Sequence, residues 1–297
     1  MTLLPEGAPD GFVVANGIRM YYVEQGEGPL VLLCHGFPEF WYSWRHQIEP
    51  LAEAGFHVVA PDLPGYGRSD NPDVTYDVVW LTDCIAGLIE GLGHEQAVLA
   101  GHDWGGLLVW PFARLHPQKT AGVIGLNVPD LPRTPTPTTK FFKEIGADQW
   151  AYILFFQERY KAEETIEADV DAFADMILRQ SATVKTDAFP DEVVKAYADV
   201  FRPKGAITPP LEYYRNMDRN WELMEPYDDV KIEVPCLMIC AEGDPVLPPN
   251  LADGMDARVP DVDIVTIRDC GHWTQQEQPE ETTEHMLAYL RELQPWR

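Results

Sequence analysis

Eight short runs of apolar, β-favouring residues recur along the chain: Gly11–Ala15, Arg19–Val23, Leu30–Cys34, His57–Ala60, Ala97–Ala100, Gly122–Leu126, Pro235–Cys240 and Asp263–Ile267. The spacing of apolar residues between several of them is helical. Ser43–Ala54 sets Trp44, Ile48 and Leu51 on one face, Val79–Leu92 sets Leu81, Ile85, Leu88 and Leu92, and Glu280–Leu293 sets Met286, Leu287, Leu290 and Leu293. An initial hairpin followed by alternating strands and helices predicts an α/β fold: a mostly parallel eight-stranded sheet with helices on both faces. The alternation stops between Pro129 and Tyr227, where consecutive helical patterns follow a Pro/Thr-rich opening, Leu131–Thr139. This divides the chain into a core of residues 1–128 and 229–297 and an inserted helical cap of residues 129–228 over the carboxyl edge of the sheet.

At 297 residues, 45% hydrophobic and 24% charged, the chain can bury a substantial core. Its net charge of −26 argues against a nucleic-acid partner, which needs a basic surface. The acidic residues read as a solvated surface, with salt adaptation a weaker reading. The five cysteines have neither zinc-site nor disulfide-framework spacing and read as reduced, buried thiols. No apolar run approaches the length of a membrane span, about 18 residues. Met1–Gly7 lacks the basic and apolar stretches of a signal peptide, so a cytoplasmic location is expected.

The most informative segment is Gly101-His-Asp-Trp-Gly-Gly106, set between the apolar runs Gln96–Ala100 and Leu107–Trp110. Small residues two before and two after Asp103 permit a sharp strand–turn–helix bend. This is the nucleophile-elbow pattern of an α/β-hydrolase, with aspartate in place of the commoner serine. A carboxylate is nucleophilic at neutral pH and forms an ester at an alkyl carbon. Ligands in open α/β sheets bind beyond the carboxyl ends of strands. Three further groups fall there: His35-Gly36-Phe37-Pro38 after the third strand, Asp244 after the seventh and His272 after the eighth. The order nucleophile, acid, histidine is that of an α/β-hydrolase triad. Asp130, just past the sixth strand, is a rival for the acid, disfavoured by its Pro-rich surroundings. The backbone amides of Phe37 and Trp104 are the expected oxyanion-hole donors. His46, His57, His94, His102, His116 and His285 read as structural, and Gly65–Asp70 as a structural loop.

With these segments, and with Asp62–Asp70 and Asp269-Cys-Gly-His-Trp-Thr274, the chain resembles the soluble-type epoxide hydrolases of the α/β-hydrolase superfamily, in their compact plant and bacterial form. The resemblance runs nearly end to end. It implies conversion of an apolar epoxide and water to a vicinal diol, with Asp103, His272 and Asp244 as triad and no cofactor or metal. It also implies two cap tyrosines that hold and protonate the epoxide oxygen. These fall on Tyr152, in Ala151–Gln157, and on Tyr214, in Glu212–Asn216, with the neighbouring Tyr213 turned about 100° away on a helix. His35, Trp41, Phe155 and Trp273 are expected to contact substrate. A haloalkane dehalogenase would use the same aspartate ester, but Phe37 stands where its halide-binding asparagine would be, and the tyrosines would have no task. A non-catalytic ligand-binding protein on this fold would need neither triad nor tyrosines. The chain could be a monomer or a homodimer, and its role detoxification or catabolism.

Overall fold

The computed structural model describes residues 9–146 and 148–293. The strands are β1 (Asp10–Ala15), β2 (Ile18–Gln25), β3 (Leu30–Cys34), β4 (His57–Pro61), β5 (Ala97–His102), β6 (Thr120–Leu126), β7 (Cys236–Ala241) and β8 (Val262–Ile267). They form one sheet in the order β1-β2-β4-β3-β5-β6-β7-β8. β1 and β2 pair antiparallel, as do β2 and β4, and every other neighbouring pair is parallel. The helices beside the sheet are α1 (Ile48–Glu53), α2 (Val78–Gly91) and α3 (Trp104–Leu115). After the insertion come α11 (Thr274–Glu277) and α12 (Pro279–Glu292).

Strand β3 shows why its sequence is apolar throughout. Leu30, Leu32 and Cys34 pack with Leu81 and Leu88 of α2 and Leu108 of α3, whereas Val31 and Leu33 pack with Ile48 and Leu51 of α1 and Leu290 of α12. A strand with both faces covered has no polar side to alternate with. The helix expected over Ser43–Ala54 is instead a 3₁₀ turn, Trp41–Trp44, followed by α1. Pro50 falls in the first turn of α1, where its missing N–H is not called on; in an unbroken helix from Ser43 it would leave the His46 carbonyl without its donor.

Between β6 and β7 the described chain contains helices and no strand: α4 (Thr138–Ile145), α5 (Ala151–Phe156), α6 (Lys161–Ala168), α7 (Val170–Asp175), α8 (Asp191–Phe201), α9 (Thr208–Arg215) and α10 (Met217–Leu223). A π-helical turn, Met176–Ser181, continues α7. The two ends of this stretch are clasped together. Arg114 donates twice to Asp130, at 2.6 and 2.7 Å, and Arg258 bridges Asp130 at 2.8 Å to the Asp228 carbonyl at 2.9 Å. Arg133 adds a bond to the Asp228 carboxylate at 2.8 Å. Asp130 thereby accepts three hydrogen bonds on this clasp, two from Arg114 and one from Arg258.

Candidate active site

β5 ends at His102 and α3 begins at Trp104, leaving Asp103 alone in the turn with φ 50° and ψ −116°. Such a backbone conformation is costly for a side-chain-bearing residue and persists where its surroundings impose it. The surroundings here are close-packed: a Cβ on Gly105 would lie 2.1 Å from the Cys34 carbonyl oxygen, and one on Gly36 would lie 2.3 Å from the Asp103 Cβ. Only glycine lets the β3 loop and the start of α3 approach this closely.

The approach brings the Phe37 N–H to the Asp103 Oδ1 at 2.7 Å. Burial raises the Asp103 pKa, while His272, His102 and the Phe37 and Trp104 amides act to lower it. The carboxylate is thus poised between a dehydrated pocket, which strengthens it as a nucleophile, and donors that keep it charged.

His272 follows β8. Its Nδ1 bonds the Asp244 Oδ2 at 2.8 Å, and its Nε2 lies 3.7 Å from the Asp103 Oδ2. The second separation exceeds hydrogen-bond length, so those two groups interact through charge. Asp244 is itself anchored. Its Oδ1 accepts the Val246 and Leu247 amides, and its Oδ2 accepts the Asn127 side-chain N–H at 2.7 Å. Burial pulls the His272 pKa down, but the carboxylates of Asp244, Asp103 and Glu39 outweigh it and raise the value to about 9. Burial alone would raise Asp244; His272 and the two amides instead bring it to about 2.

Sequence reasoning missed the groups that support this assembly. Glu39, fully buried, accepts the Gly36 N–H and meets His102 Nδ1 at 2.8 Å, while His102 Nε2 donates to the His272 carbonyl at 2.7 Å. Glu39 also accepts from Gln275 and Gln276. One buried carboxylate therefore joins the Gly36 turn, the elbow and the His272 loop. The sequence signal was its place in His35-Gly-Phe-Pro-Glu39. Asn127, which ties Asp244 to Thr274, carried no local signal.

A cavity of about 800 Å³ opens over Asp103 and His272, between the sheet edge and the inserted helices. Tyr152 of α5 and Tyr214 of α9 both line it, with ring centroids 6.0 Å apart. Burial first, and then the negative charge of Asp103, push both phenols well above their ordinary range. They remain protonated donors facing a carboxylate. Tyr213 turns away and donates to the Pro64 carbonyl at 2.8 Å. Apolar walls come from Phe37, Phe155, Phe156, Ile166, Phe173 and Trp273. Asp103, His272, Tyr152, Tyr214, Phe155 and Trp273 are thus brought together, with Asp244 behind His272.

Two expected substrate contacts stand elsewhere. His35 is fully buried beneath the cavity floor, its Nε2 accepting the Leu63 N–H at 2.9 Å and its Nδ1 beside the Gly36 carbonyl. Trp41 packs against Phe40 and Tyr42 beside a separate groove under α8. The Leu63 amide claims the His35 ring, and the Asp62 carboxylate, at the end of β4, accepts the Trp41 N–H and holds that residue away from the cavity. All five cysteines are free and buried, and burial pushes the Cys34 and Cys270 thiols up to about 12. Among the described residues no three His, Cys, Asp or Glu side chains are placed to hold a metal ion.

Residues 29–279 match the family described as the alpha/beta hydrolase fold. Epoxide hydrolase A of Mycobacterium tuberculosis is 39% identical over 97% of this chain and 99% of its own length. Bifunctional epoxide hydrolase 2 of Sus scrofa is 36% identical over 96% of this chain, which spans only 56% of that protein. Among solved structures, an epoxide hydrolase from Vigna radiata superposes with a TM-score of 0.89 at 32% identity, covering 97% of this chain and 99% of that one.

Proposed function

Since the chain belongs to the α/β-hydrolase family, among its epoxide hydrolases, we propose that it opens an apolar epoxide with Asp103 and hydrolyses the resulting ester with His272, giving a vicinal diol. The observation that carries this reading is the pairing of a buried aspartate on the elbow with two cavity tyrosines above it. The Asp103 Oδ2 attacks a ring carbon, the carbon–oxygen ring bond breaks, and a phenol of Tyr152 or Tyr214 protonates the departing alkoxide. His272 then takes a proton from water, whose oxygen adds to the ester carbonyl carbon. The Phe37 and Trp104 amides stabilise the oxyanion. As it collapses, the His272 imidazolium protonates the leaving alkoxide to give the diol, and the proton left on the Asp103 carboxyl returns to the phenolate, restoring both carboxylate and phenol.

Charge bookkeeping supports a division of labour between the two steps. In the free enzyme Asp103 helps hold His272 protonated. Esterification removes that negative charge, so the His272 pKa falls and the imidazole becomes a base when one is required. Asp244 orients the ring and stabilises the imidazolium formed.

Residues 129–228 act as a cap that supplies both tyrosines and most of the cavity wall, and His35 and Trp41 have no substrate contact in this reading. No described helix is long and apolar enough to cross a membrane; the enzyme acts in the cytoplasm on lipophilic epoxides, a detoxifying role suited to a roomy aromatic cavity. Dehalogenation is disfavoured because the tyrosines facing Asp103 would have no leaving alkoxide to protonate. The test is diol formation from styrene oxide, alongside halide release from haloalkanes. Wild type is expected to form diol and Asp103→Asn to form none; halide release without diol would refute the assignment.

A further inference from the structure

Glu277, at the end of α11, is 3% exposed and gathers four backbone N–H groups onto one carboxylate. Its Oε2 accepts Val184 and Lys185, each at 2.8 Å, and Gly271 at 3.1 Å; its Oε1 accepts Trp273 at 3.1 Å. Two of these donors belong to the helical insertion and two flank His272. Alongside, the His272 N–H donates to the Ala182 carbonyl at 2.8 Å, and Ala182 lines the cavity. The seam has no slack: a Cβ on Gly271 would lie 2.5 Å from the Ala182 oxygen and 2.7 Å from Glu277 Oε1.

We propose that Glu277 is a positioning residue for ester hydrolysis, fastening the cap segment 182–185 to the loop that carries His272. It touches neither substrate nor the reacting atoms. His272 has its N–H held by the cap and its carbonyl held by His102, so the base is mounted on both parts of the protein at once. The nucleophile is not: Asp103 is held by the Gly36 turn and α3. Loosening the seam therefore leaves attack on the epoxide intact and misplaces the imidazole needed afterwards. The proposal rests on the two-step reading above.

The experiment is single-turnover reaction with styrene oxide, quenched in acid, with the ester on Asp103 counted by intact mass. Glu277→Gln puts an NH₂ donor where an oxygen accepted, and no orientation of the amide reconciles it with four N–H donors. Ester formation is expected to stay within about threefold of wild type while its hydrolysis slows about 10- to 100-fold, the scale of a small misplacement of a reacting group. Glu277→Asp, which keeps the charge, is expected to hydrolyse faster than Glu277→Gln. Equal slowing of both steps, or unchanged hydrolysis, would overturn the proposal. If Glu277→Gln does not fold, Lys185→Pro removes one cap donor and leaves the carboxylate; wild-type hydrolysis in that variant would equally overturn it. Absence of any Asp103 ester in the wild type would instead overturn the two-step reading itself.

Discussion

The two sides of the cavity are held by different forces. Below, Asp103, Asp244 and His272 stand on loops at the ends of β5, β7 and β8, and directional hydrogen bonds from backbone amides, from the Asn127 side chain and from His102, itself held by buried Glu39, fix their atoms. Above, Tyr152 and Tyr214 stand on short helices and are held by ring contacts: Tyr214 with Phe37, Trp104 and Phe156, and Tyr152 with Phe156. Hydrogen bonds specify an angle and a distance, whereas aromatic packing accepts a range of both. In the proposed mechanism the rigid side therefore carries attack on the ring carbon and hydrolysis of the ester. The adaptable side protonates the epoxide oxygen and shapes the wall that meets the rest of the substrate.

The largest effect that would break this comparison comes from the rigid side. In the proposed mechanism His272→Gln should still be alkylated but should hydrolyse its ester about 10²- to 10⁴-fold more slowly, the range for a general base. Intact mass should show Asp103 carrying the epoxide's mass at steady state. An unmodified, inactive variant would mean that His272 also serves the first step.

A smaller effect is expected above. Tyr152→Phe and Tyr214→Phe should each slow ester formation by roughly 10²-fold, the low end for a general acid, because the partner phenol remains. Hydrolysis of a preformed ester should be unchanged in both. Stopped-flow tryptophan fluorescence separates the two rates, and slowed hydrolysis would erase the distinction between the sides.

The mildest effect concerns pH. Because the ester lacks the Asp103 charge, hydrolysis should rise with pH through an apparent pKa below the value of about 9 for free His272. Ester formation should instead fall on the acid side, above the ordinary carboxylate range, as the raised Asp103 is protonated. The same linkage bears on stability. His272 is raised above its unfolded value of 6.5, so its contribution is complete below 6.5 and is lost as pH climbs through about 9. Asp244 is depressed to about 2, so its contribution is present above its unfolded value of 3.8 and lost as pH falls toward 2. Thermal melts should show any excess stability of wild type over His272→Gln shrinking from about pH 6 to about pH 10. A constant gap would contradict the charged pair.

How far each feature was legible follows from how local its cause is. β3 could be read because five consecutive apolar residues are buried on both faces. Asp103 could be read because the small residues that permit its turn lie within two positions of it. Tyr152 and Tyr214 rested on resemblance to a family. Nothing in the local sequence distinguishes Tyr214 from Tyr213, which the Pro64 carbonyl draws away. His35 was misjudged for a similar reason: its ring is claimed by the Leu63 amide, 28 residues on. Glu39 was passed over because its partners include residues 63 and 236 positions away. Of the two candidate acids, Asp130 is taken up by Arg114 and Arg258, whereas Asp244 bonds His272, and both sets of partners are distant in sequence.

That clasp has a consequence for how such a protein can change over generations. Asp130 and Arg133 on the way into the helical stretch, and Asp228 on the way out, are drawn to one spot by Arg258, Arg114 and their own ion pair. With its two ends pinned together, the stretch forms a closed loop, and loop-closure entropy grows only with the logarithm of loop length. Helices can be gained, lost or exchanged inside that loop while the sheet order and the spacing of Asp103, Asp244 and His272 stay as they are. On the proposed reading, the clasp lets substrate range vary as a cassette, apart from the chemistry it serves.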